Sequence, residues 1–152
     1  MRIALSIACL SIIAGCAAPD QQVALLKPTA SGFAEGTAAQ SDVAAIRSRI
    51  IERCAAHGST VQETGVQSVT CSRVLQGMQA VAISYGMGNA YSTAPEGKTQ
   101  FLITQSGSDV RVVAQSWVEL QMPGGQVRRQ NVTDAKTRNY TQTFLRDEIG
   151  AY

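Results

Sequence analysis

Residues Thr99–Gln121, TQFLITQSGSDVRVVAQSWVELQ, form the strongest structural pattern in the chain, because apolar and polar side chains alternate on both sides of a Gly-Ser pair. This pair suits a two-residue hairpin turn in which the glycine adopts the positive φ of the first central position. The resulting register places Phe101 opposite Ala114 and Ile103 opposite Val112. One face of the predicted hairpin is then apolar: Phe101, Ile103, Val110, Val112, Ala114, Val118 and Leu120.

A further strand is predicted over Gln126–Val132, after a Pro-Gly-Gly turn. Placing Val127 opposite Leu120 brings Arg128 opposite Glu119, which is a favourable cross-strand charge pair. The hairpin face that points away from the core then presents a candidate partner-binding surface. Its residues are Leu102, Arg111, Val113, Trp117, Glu119 and Arg128.

Trp117 is the expected centre of that surface, because Trp and Arg dominate the binding energy of many protein interfaces. The alternative is a structural role in which another segment covers the indole ring. The short apolar stretch Val23–Leu26 and the predicted loop Gly86–Lys98 are the candidate covers.

An amphipathic helix is predicted before the sheet, with Ser41 as its N-cap and Gly58 just after its end. Its apolar side recurs at steps of three and four residues. The residues on this side are Val43, Ile46, Ile50, Cys54 and His57.

Two strands are predicted over Ser59–Thr64 and Val66–Val74, which are rich in Val, Thr and Ser. Alternating apolar residues over Val81–Tyr85 predict another strand. Near the C-terminus, Thr133 and Asp134 can begin a closing helix that runs to about Ile149. This order of elements predicts an α+β domain: an antiparallel sheet of four to six strands with an N-terminal and a C-terminal helix packed on one face, a two-layer sandwich.

The N-terminal residues have the features of an export signal. Arg2 is followed by 13 uncharged residues, Ile3–Gly15, a run too short to span a bilayer. The end of this run, Ile13-Ala14-Gly15-Cys16, resembles the lipobox of bacterial lipoproteins, with Ile13 where that family usually has Leu. An ordinary secretory signal, with Cys16 incidental, is the alternative.

The lipobox resemblance implies that residues 1–15 are a signal peptide and that Cys16 becomes a lipidated N-terminus. In Gram-negative lipoproteins an Asp after this cysteine favours the inner membrane, whereas this chain has Ala17. The resemblance therefore implies a bacterial envelope protein on the outer membrane, facing the periplasm. No later apolar run approaches 18 residues, so lipid is the expected membrane anchor.

Three segments follow from these patterns: the signal peptide 1–15, a lipidated cysteine with a flexible tether over 16–40, and a single α+β domain over 41–152. The tether assignment depends on composition, because residues 17–40 are rich in Ala, Gly, Thr, Ser, Pro and Gln and show no sustained period.

Cys54 and Cys71 are the two cysteines that lie beyond Cys16, and an exported chain favours a disulfide between them. Closing a loop of 17 residues contributes about 3 kcal/mol in the chain-entropy model. Zinc binding by both cysteines and His57 is the alternative, but a fourth ligand is not evident. The sequence therefore favours the disulfide and predicts no metal.

Catalytic patterns are not recognisable. His57 is the only histidine, the G-x-S-x-G motif is missing, and Gly86-Met87-Gly88 is only a fragment of a phosphate-binding loop. The 13 basic and 11 acidic side chains give a net charge of +2, without the basic clusters of a nucleic-acid-binding protein. We therefore expect neither an enzyme, nor a cofactor, nor a nucleic-acid partner.

Two functions remain as hypotheses. The first is a non-enzymatic protein-binding or structural accessory module that contacts an envelope protein. The second is a carrier of a small apolar ligand bound between sheet and helices. An apolar pocket of several hundred Å³ would favour the carrier, whereas a filled core with an exposed aromatic patch would favour the partner module.

Overall fold

The computed structural model describes residues 24–26, 28–89 and 91–152, so the predicted signal peptide and the lipidation site Cys16 lie outside the described residues. Six strands and three helices alternate along this part of the chain. In order they are β1 (Ala34–Ala38), α1 (Val43–Ala56), β2 (Thr60–Gly65), β3 (Ser68–Val74), α2 (Gly77–Met87), β4 (Glu96–Ser106), β5 (Asp109–Gln121), β6 (Val127–Asn131) and α3 (Ala135–Phe144), which continues as a π-helical turn, Leu145–Ile149.

The six strands form one antiparallel sheet in the order β1-β5-β4-β3-β2, with β6 also paired to β5. The predicted hairpin lies in the middle of this sheet, and its register is confirmed: Phe101 faces Ala114 and Ile103 faces Val112. Gly107 has the expected positive φ, +62°. All seven residues of the predicted apolar face are buried. The α+β class and the antiparallel sheet are therefore as predicted.

Helix α1 buries the expected side, Ile46, Ile50 and Cys54, in the main core. Its N-cap is Asp42 instead of Ser41, because the Asp42 carboxylate accepts a hydrogen bond of 2.8 Å from the backbone N–H of Ala45. This contact satisfies one of the unpaired amides of the first turn. The helix contacts β2, β3, β4 and the π-helical turn.

The closing helix begins where the sequence indicates, since Asp134 caps α3 by accepting a 2.9 Å hydrogen bond from the Thr137 N–H. Helical structure ends at Ile149, and Gly150 follows with a φ of +77°. Leu145 and Ile149 are fully buried in the same core cluster as α1. Both predicted helices therefore contribute to one hydrophobic core.

The tether prediction is wrong for residues 34–38, which form β1 and pair with β5. Composition misleads here because the strand, AEGTA, has none of the bulky apolar side chains that usually indicate a strand. Small residues are required because the C-terminus lies close by. Thr37 and Tyr152 exchange backbone hydrogen bonds of 2.9 and 3.2 Å.

We expect Gly36→Ala to lower the free energy of unfolding by about 2 kcal/mol, the usual size of an overpacking penalty. A Cβ at Gly36 would lie 2.5 Å from the carbonyl oxygen of Ala151, so β1 and the C-terminus would have to separate. Urea denaturation measures the loss. Gly86→Ala in α2 is the matched control, because its Cβ would meet nothing within 4 Å and alanine favours a helix. Equal urea midpoints for the two variants would contradict the close packing.

The strand predicted over Val81–Tyr85 is also wrong, since these residues belong to α2. Their alternation does not reflect burial, because Val81 and Tyr85 are both exposed. Strands β3 and β4 pair directly with each other on either side of this segment, so the sheet has no position for a strand between them. The segment therefore forms a helix outside the sheet. Within the part of the chain that the structure describes, none of the helices is long and apolar enough to cross a membrane.

The predicted register of β6 is wrong by one residue. Val127 lies opposite Gln121, Arg128 opposite Leu120, and Arg129 opposite Glu119. The turn accounts for the shift, because Gly124 and Gly125 both adopt positive φ and the Met122 N–H bonds to the Gln126 carbonyl at 2.7 Å. A one-residue shift moves every side chain to the other face of a sheet. Arg129 therefore replaces Arg128 beside Trp117.

Candidate functional site

Trp117, the centre of the predicted partner surface, is buried, with only 7% of its surface exposed. Its indole Nε1 donates a 2.9 Å hydrogen bond to Glu119 Oε2. The Arg129 guanidinium lies 3.9 Å from the centre of the ring, in cation–π contact. Charged side chains of the sheet itself therefore cover the ring, and Lys98, the last residue of the segment Gly86–Lys98, lies opposite it.

Lys98, opposite Trp117 in the sheet, completes this cluster. Its Nζ bonds to Glu119 and lies 3.5 Å from Glu96 Oε2. Burial opposes the charge of Glu119, but hydrogen bonds from Lys98 and Trp117 and the nearby cations hold its pKa below the usual range. Burial likewise opposes the charge of Lys98, but the bond to Glu119 and the two carboxylates raise its pKa. Both groups are therefore held in their charged forms as a structural ion pair.

The other predicted surface residues are only partly brought together. Leu102 lies opposite Val113 as predicted and is 43% exposed. Arg111 forms a 2.6 Å ion pair with Glu35 of β1. Arg128 lies on the opposite face of the sheet and donates a 2.7 Å hydrogen bond to the carbonyl of Met87. The predicted surface therefore lacks both the exposed Trp117 and the Arg128 it was expected to contain.

A groove on the other face of the sheet is the better candidate site. It lies among the C-terminal end of α1, α3, the start of α2 and strands β3 to β5, and its volume is about 260 Å³. We refer to it as the groove. Its lining mixes apolar and polar residues, among them Cys54, His57, Cys71, Arg73, Gln79, Lys98, Thr99, Phe101, Ser116, Trp117, Val118, Tyr140 and Phe144.

The inner part of the groove is apolar. The Phe101 and Phe144 rings pack 5.6 Å apart between their centres, beside the disulfide that joins α1 to β3. Thr99 and Ser116 lie opposite each other in the hairpin, and their hydroxyl groups are 3.0 Å apart in a hydrogen bond. One hydroxyl donates to the other in this bond, and the accepting hydroxyl keeps its own O–H for a ligand. Tyr140 and His57, which also line the groove, are exposed.

The groove exists because small side chains interrupt the apolar face of the hairpin. Thr99 and Ser116 occupy inward positions of that face, next to Phe101 and Val118, but fill less space than their neighbours. The apolar alternation does not reveal the groove, because it depends on the apolar inward residues and not on these two. Two small hydroxyl residues at facing inward positions were the available signal.

Cys54 and Cys71 form the predicted disulfide, with an S–S distance of 2.00 Å and Cα atoms 6.1 Å apart. Their sulfur atoms are therefore not free to bind zinc as thiolates. Among the residues that the structure describes, no three His, Cys, Asp or Glu side chains are grouped so that they could hold a metal ion. The groove offers burial of apolar surface at its inner part, and Arg73, Lys98 and His57 also line it.

Comparison of the chain with protein-family models, with curated proteins and with solved structures finds no match. The residues of the groove and of the surfaces around it are therefore the basis for inferring a function.

Proposed function

We propose that this protein is a non-enzymatic carrier of a small apolar ligand, which it binds in the groove. The observation that carries the proposal is the groove of about 260 Å³ between the sheet and the helices, whose inner part is apolar. An apolar cavity of about 150 Å³ already accommodates benzene, and drug-sized ligands occupy about 300 Å³ or more. The groove therefore suits a single aromatic ring with a substituent or a short acyl segment.

The lipobox motif supports a location for this carrier. We propose that Cys16 is lipidated and that the protein is anchored in a bacterial envelope, at the outer membrane on its periplasmic side. The Cys54–Cys71 disulfide is consistent with an oxidising compartment. The proposal includes a two-layer arrangement in which α1 and α3 cover one face of the sheet, supported by the core cluster that their buried residues share.

The alternative of a protein-binding module is less well supported in the form predicted from the sequence. That form depends on an exposed Trp117 beside Arg128. The buried indole ring and the position of Arg128 on the other face remove its two main anchors. A partner surface formed by Leu102, Val113 and Arg111 alone offers much less apolar area.

Filling the groove should abolish ligand binding. The neutral dye 1-N-phenylnaphthylamine, whose fluorescence increases in apolar surroundings, serves as the probe. Ser116→Phe places a ring inside the groove, and we expect the affinity for the dye to fall at least about tenfold, or 1.4 kcal/mol. Gln115→Phe is the matched control, because it adds the same ring one residue away on the other face of β5. Fluorescence titration measures both affinities.

Tyr140→Ala provides a second test that does not disturb the interior, because Tyr140 is an exposed residue at the groove. Loss of its ring removes apolar contact from the ligand, so the dye should bind several-fold more weakly at unchanged stability. Equal dye affinities for the parent, Ser116→Phe and Tyr140→Ala proteins would show that the groove is not the binding site.

A further inference from the structure

Helix α2 carries an apolar stripe that the rest of the domain leaves uncovered. Met78, Val81 and Tyr85 follow one another at steps of three and four residues and therefore share one side of the helix. Their exposed fractions are 82%, 61% and 93%, and α2 buries none of its residues. We propose that this stripe, together with Arg128, lies on the surface of an anionic phospholipid bilayer. The proposal rests on the proposed lipid anchor at Cys16.

The charge pattern around α2 fits a bilayer. No charged side chain occurs over residues 74–95, a run of 22 residues that includes the whole helix. Entry of α2 into the headgroup region therefore desolvates no charge, which is the main cost for most surface helices. Tyr85 is suited to this depth, since its ring is apolar and its hydroxyl can remain in contact with water.

A cationic side chain borders the stripe at the end of the helix. Arg128 Nη1 donates a 2.7 Å hydrogen bond to the carbonyl of Met87, the last residue of α2. Val127 beside it is 60% exposed. An apolar helix side next to an exposed guanidinium is complementary to anionic lipid, because the guanidinium attracts the headgroups while the apolar side chains enter the interface.

The position at which the chain leaves the domain also favours a bilayer. Asn139 of α3 bonds to the Leu26 N–H at 2.8 Å and to the Ala24 carbonyl at 2.7 Å, which ties residues 24–26 to that helix. Cys16 precedes Ala24 by eight residues, which span at most about 28 Å. A domain of about 120 residues is roughly 35 Å across. The anchor therefore cannot reach a bilayer that lies on the far side of the domain from Asn139.

Helix α2 borders that same side. Tyr140, the residue after Asn139, lines the groove, and so does Gln79 in the first turn of α2. A lipid on Cys16 would therefore leave the bilayer within reach of α2. The proposed lipid anchor therefore favours a bilayer over a protein partner as the occupant of this surface.

The test measures how deeply α2 enters a bilayer. Flotation of the protein with vesicles reports on the lipid anchor separately. Val81→Cys and Val66→Cys are each labelled with the dye NBD in the lipidated protein, purified from bacterial membranes and placed in vesicles of phosphatidylethanolamine and phosphatidylglycerol. The disulfide leaves only the introduced thiol free within the domain. Val66 is the matched control, because it is 80% exposed and lies in the β2–β3 turn, at the opposite end of β3 from α2.

We expect NBD at position 81 to emit at shorter wavelength in the vesicles and to be quenched by nitroxide-labelled lipid, whereas NBD at position 66 keeps its emission in water. Adding Arg128→Glu should reduce the quenching at position 81. If the protein floats with the vesicles but position 81 behaves like position 66, the bilayer contact is wrong and a protein partner becomes the better occupant, while the anchor stands. Failure to float overturns the anchor itself.

Discussion

Trp117→Ala should lower the free energy of unfolding by about 3 kcal/mol, the lower end of the cost of truncating a buried Trp. The indole ring is 7% exposed, is covered by Arg129 and donates its N–H to Glu119. Its removal leaves a cavity and takes a hydrogen bond from a carboxylate that is partly buried. Far-UV circular dichroism in urea measures the change, because Trp117 is the only Trp and its fluorescence disappears with it.

Two variants separate the contributions to this loss. Trp117→Phe keeps an aromatic ring but not the N–H donor, so its loss of stability should be smaller. Arg129→Ala removes only the cation above the ring and should cost about 0.5–1 kcal/mol. A urea midpoint unchanged in Trp117→Ala would mean that the ring is exposed in solution, and the partner surface predicted from the sequence would return as a candidate.

Removal of the disulfide should lower the free energy of unfolding by a similar amount. The double variant Cys54→Ala/Cys71→Ala should lose about 3 kcal/mol, because the unfolded chain regains the freedom of a loop closed over 17 residues. The bond joins the last turns of α1 to β3, so its loss should also loosen the groove that both cysteines line. Dye affinity should then fall together with the urea midpoint.

The reductant provides the internal control for this prediction. Dithiothreitol should lower the urea midpoint of the parent protein to that of the double variant and should leave the double variant unchanged. Both cysteines are buried, so the native protein should resist reduction until urea opens it. Thiols that react with a labelling reagent in the native, unreduced protein would contradict the disulfide.

The central hairpin shows how much of the fold a local sequence pattern can predict. Gly107 and the alternation around it were sufficient to predict the register of β4 and β5 and the seven buried residues on one face. The same is true of α1, where the spacing of apolar residues indicates the helix, and of α3, where Thr133 and Asp134 indicate its start. In these elements burial repeats with the period of the backbone, so a short window of sequence contains the information.

Other elements depend on neighbours that are distant in sequence. Gly36 belongs to a strand because β5 pairs with it and the C-terminal residues pack against it, and neither contact has a local signal. The segment of α2 alternates like a strand but is a helix, because β3 and β4 already pair with each other. The register of β6 depends on the φ angles of Gly124 and Gly125, which no alternation pattern specifies.

The sequence by itself therefore determined the antiparallel hairpin, the two helices that join its core and the cysteine pair that links α1 to β3. Only the tertiary structure decided that Trp117 is buried under Arg129 and that a groove opens over Thr99 and Ser116. The physical reason is that periodicity within one segment specifies which side of that segment is buried. The space left between segments depends on side chains from several elements at once, so a groove has no pattern along the chain.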